Sequence, residues 1–586
     1  MRFLRMLSNS AIAGAVAAGY LTILVLHLNP TFPLSLDAVV PLALAMGLAY
    51  GVNLTAVFYV LIVLRQLTAN EVLSPGWLSV RLLSWLCTIA AGAGATVMWL
   101  NLRGYGAVLE PQALSRMTAG AITVTASAGV FLLIALAHIG RRGGAVSALL
   151  LTSMMVISLA APLTARGWDD ATTLVARSTA PVVGLEWAPR AGRVTVIALD
   201  GATLDVISPA VAEGRLPNFG RIFDGGAVLH LATLQPTQAE PVWSAAATGR
   251  VPVANGIRAS ALYRVRAGGP ALELLPDYCF AQALVRFGVM NETPHDSRSL
   301  LSRPLWNILS DAGISTGVVG WPLTDPAPPV NGFVISDNFH RLSSAELGLE
   351  GGTSVAPAER FADARAALTT NPLPDPVAVV STGGETPQGD ADARADPAPI
   401  AADRMHLQIL RAFEMAIPTQ FTAVRFPGLD AVGHYFLRYA NPSAFGDVSE
   451  EERRRYGRVL GEYYGFIDSV VGRAVDTLGP DDLLLVVSAF GMEPLSPGKR
   501  VLERVVGNAR LSGTHERAPD GFLLAFGGAV APSRPARASI LDLAPTVLYY
   551  LGLPVGRDMD GFARTDLFRP NFTASRPITF IPTYGR

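Results

Sequence analysis

A carboxylate and an imidazole stand four residues apart at Asp430 and His434. If this segment is helical, that spacing places both side chains on one face of the helix, where they can share a metal ion. The same spacing also fits an ordinary helix-face pair without a metal. A second carboxylate, Asp200, directly follows the apolar run Val194–Leu199, so it stands either as a further ligand at a strand end or as a residue that caps a helix.

The elements that must position these residues are short apolar runs that alternate with helical stretches after Arg193. Continuous apolar runs between helices are typical of strands that are buried on both faces of a sheet. We therefore predict an α/β domain with a largely parallel central sheet covered by helices. The predicted strands are 194–199, 316–321, 422–426, 482–488 and 521–526.

The first 165 residues predict a helical transmembrane domain. Half of the 586 residues are hydrophobic and 16% are charged, and a membrane-spanning helix needs roughly 20 apolar residues. A cleaved signal peptide is the alternative for the first span, but the segment after it offers no small-residue cleavage site, so an uncleaved anchor is predicted. The five predicted spans are Ala11–Leu28, Ala38–Leu64, Leu82–Leu102, Ala119–Ile139 and Ala145–Ala165.

Arginine placement predicts the orientation of these spans. The N-terminus and the even-numbered connections carry arginine pairs, whereas the first connection, Asn29–Leu36, has none and the third has Arg103 and Arg116. Arginine-rich segments stay in the cytoplasm. We therefore predict a multi-pass protein of the bacterial cytoplasmic (inner) membrane, with its C-terminal domain periplasmic and the lipid bilayer as a partner. A net charge of −1 argues against nucleic acid as a partner.

Composition also predicts the domain boundaries. They are a transmembrane domain over 1–166, a linker over 167–192, a soluble domain over 193–570 and a C-terminal tail over 571–586. The Gly-, Ala-, Pro- and Asp-rich stretch 343–403 is predicted to be a flexible insertion. The two cysteines, Cys87 and Cys279, form neither a disulfide framework nor a cysteine metal site.

Several ordered segments share one family resemblance. They are 196–203 (VIALDGAT), 234–257 around Trp243, 303–326 with a Trp-containing helix, a strand and a Trp-Pro turn, 430–434 (DAVGH), 483–494 (LLLVVSAFGMEP), 512–527 (SGTHERAPDGFLLAFG) and 539–561. Together they resemble the alkaline-phosphatase superfamily, in its type I phosphodiesterase/nucleotide pyrophosphatase branch. Any one segment would be weak evidence, but their common order makes the resemblance specific.

The resemblance implies a two-metal active site, commonly with zinc, and this chain keeps only part of it. One ion would be held by Asp430, His434 and His515, which is a credible zinc set, so one zinc or similar divalent ion is predicted. The second ion would need Asp200, a Thr or Ser nucleophile and an Asp-His pair. The three latter positions are occupied by Ala239, Ala489 and Phe490, so the second metal site is predicted to be lost.

Two nearby residues could in principle replace a missing catalytic group, one as the nucleophile and one as a metal ligand. Thr237 would share an extended face with residue 239 but lie about 6–7 Å away, which is outside reacting distance. Glu240 offers a carboxylate at a position where the family has no ligand. Neither residue restores the Asp-His pair.

These departures predict a membrane-anchored, catalytically inactive phosphodiesterase-like protein. Its role would be that of a binding module or an accessory or assembly subunit, with other subunits of a membrane complex as partners. The alternative is an active metal-dependent phosphodiesterase or phosphoryl-group transferase that acts on lipid or envelope substrates. Membrane phosphoethanolamine and phosphoglycerol transferases resemble this architecture, but they need the nucleophile that Ala239 replaces, and a shared fold does not fix a function.

Overall fold

The computed structural model describes residues 1–585 except 70–74, 140–143, 169–191, 342–352, 370–396, 506–509 and 517–518. The chain forms two compact units. The first unit contains Met1–Ala176 and Ala261–Pro294, and the second contains Arg177–Ser260 and His295–Arg586. The segment Ala261–Pro294, predicted as part of the soluble domain, thus groups with the apolar helices. Most of the predicted linker 167–192 lies outside the described residues.

The first unit has five helices that are long and apolar enough to cross a membrane, which confirms that prediction. The second span runs over 33 residues and contains a π-helical segment at Gly47–Gly51. The helices are α1 (Arg2–Leu28), α2 (Leu36–Met46), α3 (Val52–Ala69), α4 (Val80–Gly104), α5 (Pro111–Ala137) and α6 (Ala145–Arg166).

Close packing of α1 against the second span depends on a small residue. A Cβ atom added at Gly14 would lie 2.4 Å from Thr55 Oγ1 and 2.7 Å from the Gly51 carbonyl oxygen. Glycine therefore lets the two backbones approach, as is common between membrane helices. The unit also includes the antiparallel strands β3 (Ala261–Val265) and β4 (Met290–Pro294), with the short helix α11 (Gln282–Arg286) between them.

The second unit is built around one nine-stranded sheet with the strand order β13-β2-β12-β9-β1-β8-β5-β6-β7. The strands β9, β1, β8, β5 and β6 are parallel to one another, which confirms the predicted α/β class. The sheet strands are β1 (Val194–Leu199), β2 (Ala227–Ala232), β5 (Thr316–Val319), β6 (Gly332–Ile335), β7 (Val355–Ala356), β8 (Phe421–Phe426), β9 (Leu483–Phe490), β12 (Asp520–Gly527) and β13 (Ala538–Ser539). Two-stranded pairs are formed by β10 (Glu493–Pro494) with β11 (Gly513–Thr514), and by β14 (Val555–Gly556) with β15 (Phe580–Ile581).

Helices cover both faces of this sheet. In β1, Val196 and Ala198 pack into the core on one face, whereas Ile197 and Leu199 pack into the core on the other face. This alternation explains the unbroken apolar run in the sequence. The helices of this unit are α7 (Leu204–Ala212), α8 (Pro217–Gly225), α9 (Ala239–Thr248), α10 (Pro252–Asn255), α12 (Leu305–Asp311), α13 (Phe361–Thr369), α14 (Pro397–Ala416), α15 (Gly428–Ala440), α16 (Glu450–Tyr456), α17 (Val459–Asp476), α18 (Pro497–Val505), α19 (Leu543–Leu551) and α20 (Pro570–Ala574).

Two segments that the sequence sets apart are in part ordered. Within the predicted flexible insertion, 353–369 contributes β7 and α13, and 397–403 begins α14; the rest lies outside the described residues. In the predicted tail, β15 pairs with β14, and the Tyr584 hydroxyl donates a hydrogen bond to the Pro554 carbonyl at 2.6 Å. Both segments therefore belong to the folded unit where they are described.

Candidate metal centre

The candidate residues meet at the carboxyl edge of the parallel strands, where ligands bind in open α/β sheets. Leu199 of β1 is in register with Phe426 of β8 and Ser488 of β9, so Asp200, the start of α15 and Phe490 leave the sheet at one edge. Gly201 follows Asp200 with a φ of +71°. A Cβ atom there would lie 2.9 Å from the Cα atom of Asp430, so this approach requires glycine.

Asp430, His434 and His515 come together as the sequence predicted. Asp430 lies in the first turn of α15 and His434 one turn later, whereas His515 follows β11. The distance from His434 Nε2 to Asp430 Oδ2 is 3.4 Å, and from His515 Nε2 to Asp430 Oδ1 it is 3.7 Å. The three side chains each present one ligand atom, and these atoms lie within 4.8 Å of one another.

The hydrogen bonds around this triad fit a metal ion. The Nδ1 atom of His434 lies 2.8 Å from the Gly513 carbonyl, which can only accept, so Nδ1 carries a proton and Nε2 is the ring nitrogen that faces Asp430. Within the described part of the chain, Asp430 Oδ1 is buried without any hydrogen-bond donor. A buried carboxylate oxygen without a donor, facing two imidazole rings, is the arrangement expected of a zinc ligand set.

The charges of the triad support one another. Burial acts to raise the pKa of Asp430, but the hydrogen bond and charge of His434 and the charge of His515 outweigh it, so the pKa lies below its ordinary value. Burial likewise acts to lower the pKa of His434, and the contact with Asp430 reverses this, so that pKa is raised. Asp430 is therefore an ionised ligand at neutral pH.

Asp200 does not join the triad, because its carboxylate is hydrogen-bonded to Arg425. The Arg425 Nε atom lies 3.2 and 3.1 Å from the two carboxylate oxygens of Asp200, and Arg425 Nη2 donates a further short hydrogen bond to Oδ2. The Trp243 indole N–H donates to Oδ1 at 2.7 Å. The side chains of Arg425 and Asp200 are only 14% and 4% exposed, so this is a buried, multiply bonded ion pair.

The place of a second ion is filled by groups that cannot bind one. Ala239 begins α9 one turn before Trp243, so it lies on the helix face that carries the Asp200 contact. Ala489 and Phe490 are buried at the end of β9, and the Phe490 ring lies 4.8 Å from the ring of His515 between centroids. A methyl group, a phenyl ring and a bound guanidinium leave Asp200 as a lone and already neutralised carboxylate. These residues do not fit a second divalent ion.

The comparison with protein families agrees with this geometry. The model described as type I phosphodiesterase/nucleotide pyrophosphatase matches residues 194–542, more than half of the chain. The chain belongs to this family.

No curated protein sequence matches the chain. Among solved structures, similarity is found to murine ectonucleotide pyrophosphatase/phosphodiesterase 5, both unmodified and as an inactive variant in complex with AMP, and to its human counterpart. Each is 14% identical with a TM-score of 0.37, and the match covers 64% of this chain and 100% of the other.

The structure gives a contact or an electrostatic partner for each of the two residues considered as alternatives, Thr237 and Glu240. Thr237 is buried, and its hydroxyl donates to the Leu234 carbonyl at 3.1 Å. Glu240 acts through its charge on Arg425, whose pKa it helps to raise. Among the described residues, the only cluster with metal-ligand geometry is the triad of Asp430, His434 and His515.

Arg425 is the functional residue that the sequence analysis missed. The signal for it is a single charged residue inside the apolar strand Phe421–Phe426, one position before the strand ends. A buried arginine needs a buried acid, and Ala198, its register partner on β1, stands two residues before Asp200. Burial acts to lower the pKa of Arg425, but Asp200 outweighs it and the pKa is raised.

A second carboxylate near Arg425 predicts a pH effect on stability. Burial raises the pKa of Asp337 from 3.8 to about 6, although Arg425 and the amides of Leu323 and Thr324 oppose the rise. The folded state therefore binds a proton that the unfolded state lacks, and this stabilisation is present below pH 3.8 and lost as the pH rises through 6. Relative to Asp337→Asn, the wild type should lose ~1–3 kcal/mol of stability between pH 4 and pH 7.

Thermal unfolding of both proteins in detergent across this pH range measures the difference. Asp363→Asn is the control, since Asp363 is 55% exposed in its pair with Arg360. Its stability should follow that of the wild type at every pH. Parallel curves for the wild type and Asp337→Asn would show that Asp337 titrates normally.

Proposed function

We propose that this family member is a membrane-anchored, catalytically inactive phosphodiesterase-like protein that binds one divalent ion and acts as a binding, accessory or assembly subunit. The observation that carries the proposal is the ion pair between Arg425 and Asp200. Its guanidinium supplies a fixed positive charge where a second ion would need Asp200 as a ligand. Together with Ala239 at the nucleophile position, it removes the hydroxyl and the ion that would activate it.

The remaining ion would be zinc or a similar divalent ion held by Asp430, His434 and His515. When bound, such an ion supplies Lewis-acid attraction for an anionic oxygen. The chain itself holds Asp430 ionised and presents the Nε2 atoms of both histidines to it. The Phe490 ring packs on His515 and keeps this side of the pocket apolar. Binding of an anionic ligand without cleavage is the activity that these residues support.

The five candidate spans and the arginine distribution support the proposed location. Arg2 and Arg5 precede α1, and the arginines of the even-numbered connections stand at the same end of the spans, so we place that end in the cytoplasm. The phosphodiesterase-like unit then lies on the outer face of a bacterial cytoplasmic membrane. Partners of this unit would be other subunits of a membrane complex.

Metal content and turnover test the proposal with one substitution. The full-length protein in nanodiscs, loaded with zinc or manganese, should contain one ion per chain and should not hydrolyse bis-p-nitrophenyl phosphate. His434→Ala should lose that ion, because Asp430 and His515 alone make a weak site. His230→Ala is the matched control, since His230 is exposed on β2, and it should retain the ion.

Hydrolysis that disappears in His434→Ala and persists in His230→Ala would overturn the proposal and favour an active one-metal enzyme. An ion count of two would contradict the role given to Arg425. An ion count of zero in the zinc-loaded protein would contradict the metal site while leaving the inactivity in place.

A further inference from the structure

We infer that residues 261–294, which stand in the sequence between two parts of the second unit and are called the insertion below, are seated in the bilayer interface together with α2. This inference concerns the first unit alone and is independent of the activity of the metal centre. It is carried by how the insertion is fixed to the helices, by the length of the second span and by the apolar side chains that both leave exposed.

Two asparagines at helix ends fix the insertion. At the end of α1, Asn29 Oδ1 accepts hydrogen bonds from the amides of Glu273 and Leu274 at 2.7 and 2.9 Å. Near the end of α4, Asn101 Oδ1 accepts from the amide of Asp277 at 2.8 Å. Each asparagine also donates to a carbonyl of the same segment, Leu274 or Asp277. These bonds satisfy the irregular backbone of 273–277, which is a requirement for backbone that lies at membrane depth.

One face of α2 covers the insertion. Ala38, Leu42 and Met46, spaced four residues apart, are at most 1% exposed and belong to the core that contains Tyr263, Leu272 and Leu275 of the insertion. One turn later, the Tyr50 hydroxyl lies 3.9 Å from Cys279 Sγ. The insertion therefore follows α2 over three to four turns rather than touching only its end.

The opposite face of α2 is apolar and exposed. Leu36, Val40 and Leu44, together with Leu48 in the π-helical segment that follows, also recur every four residues and are 81%, 47%, 68% and 69% exposed. Exposure of such an apolar stripe to water is unfavourable, whereas contact with acyl chains is expected. Because one face of α2 packs on the insertion and the other face is exposed, lipid that contacts α2 would lie next to the insertion.

The length of the second span places this pair at the interface. Its 33 residues would extend about 50 Å as a helix, whereas the hydrocarbon core is about 30 Å thick. Tilt alone would need about 50°, beyond the usual range of 0–40°. The span therefore has about 20 Å more than it needs to cross, close to the length of Leu36–Gly51. We assign this excess to α2 and its π-helical end.

Exposed aromatic side chains complete the interface. Phe280 and Phe287 of the insertion are 54% and 76% exposed, and Trp168, just past the end of α6, is 65% exposed. Tyr278 and Phe280 have φ values of 64° and 58°, which bulky side chains rarely adopt, and they flank the buried Cys279. This strained turn buries the thiol and directs the rings outward. Aromatic residues at this position form the belts that anchor proteins in the headgroup region.

Spin labels test the position of these rings. We would label Phe280→Cys and Phe287→Cys in full-length protein within phosphatidylcholine/phosphatidylglycerol nanodiscs and compare relaxation by oxygen with relaxation by a water-soluble nickel chelate. Oxygen should dominate at both positions. The control, Asp476→Cys in the second unit, whose side chain is 65% exposed, should favour the nickel chelate. Wild-type protein sets the background, since Cys87 and Cys279 are both buried.

Nickel-dominated relaxation at 280 and 287 would show that the rings face water, and exclusion of both reagents would show that protein covers them; either result overturns the inference. Unmodified protein gives an independent measurement that needs no folded variant. Photoactivation of a diazirine phosphatidylcholine should cross-link peptides that contain Phe280 and Phe287 and the stripe of α2. Cross-linking confined to peptides of α3–α6 would contradict the inference that the insertion and α2 lie in the interface.

Discussion

Replacement of Arg425 by alanine is expected to destabilise the second unit by about 3–5 kcal/mol, because the variant leaves the Asp200 carboxylate buried without its partner. Asp200 is 3% exposed and would keep only the Trp243 indole as a charge-stabilising donor among the contacts described. Burial already raises the pKa of Asp200 while Arg425 opposes the rise. Without Arg425, the carboxyl should become protonated at a higher pH.

A double-mutant cycle separates this pairing from lost packing. Chemical unfolding followed by tryptophan fluorescence would give the free energies of unfolding of Arg425→Ala, Asp200→Ala and the double variant. The double variant should cost clearly less than the sum of the two single variants, since neither charge is then left unpaired. Additive costs would show that Arg425 acts through its bulk and not through its charge.

An exposed ion pair supplies the matched control. Arg221 contacts Asp476 at 2.7 Å, but the two side chains are 45% and 65% exposed. Arg221→Ala should cost no more than about 1 kcal/mol, because water screens and replaces such a pair. The contrast between the two arginine variants measures how much burial adds to the same chemistry.

The sequence predicts the part of the site that depends on local spacing. Asp430 and His434 share a helix face because they stand four apart, and Asp200 stands at a strand end because the largely apolar run Val194–Leu199 precedes it. The place of Ala239 follows from Trp243, one turn along the same helix. Helical and strand periodicity fix these relations without knowledge of the tertiary structure.

The remaining features depend on contacts between distant segments. The side chain of Arg425 can be assigned to Asp200 only when the neighbouring strands and their register are known, because 225 residues separate the two. The grouping of 261–294 with the helices depends on contacts such as those of Asn29 and Asn101, whose side chains bond to their own helix one turn back and also to backbone groups far along the chain. Composition alone therefore assigned this segment to the soluble domain.

Restoration of the family's ligands should fail to create a second metal site as long as Arg425 remains. The triple variant Ala239→Thr, Ala489→Asp and Phe490→His supplies a hydroxyl, a carboxylate and an imidazole around Asp200. A divalent ion 4 Å from the guanidinium would still be repelled by on the order of 8 kcal/mol at an effective dielectric constant of 20. We therefore expect one zinc per chain in the triple variant and no turnover of bis-p-nitrophenyl phosphate.

Addition of Arg425→Ala to the triple variant should reverse both results. Asp200 is then free to act as a ligand, and the quadruple variant should bind a second zinc and gain measurable hydrolysis that depends on the Ala239→Thr hydroxyl. Zinc should also raise its unfolding temperature, since an ion that binds only the folded state stabilises it. Without metal, the quadruple variant should have an unfolding temperature no higher than that of Arg425→Ala alone.

The comparison of the triple and quadruple variants decides whether Arg425 stands in for an ion. Two zinc ions in the triple variant would show that the guanidinium moves aside, so that only the missing ligands explain the loss of the second site. One ion in a folded quadruple variant would show that the pocket itself is too small. Since the metal count and the unfolding temperature are read separately from turnover, a variant that binds two ions without hydrolysis still confirms the role of Arg425. The positive charge in this site would then be provided by the chain itself, and the phosphodiesterase fold would keep its charge balance without its second metal.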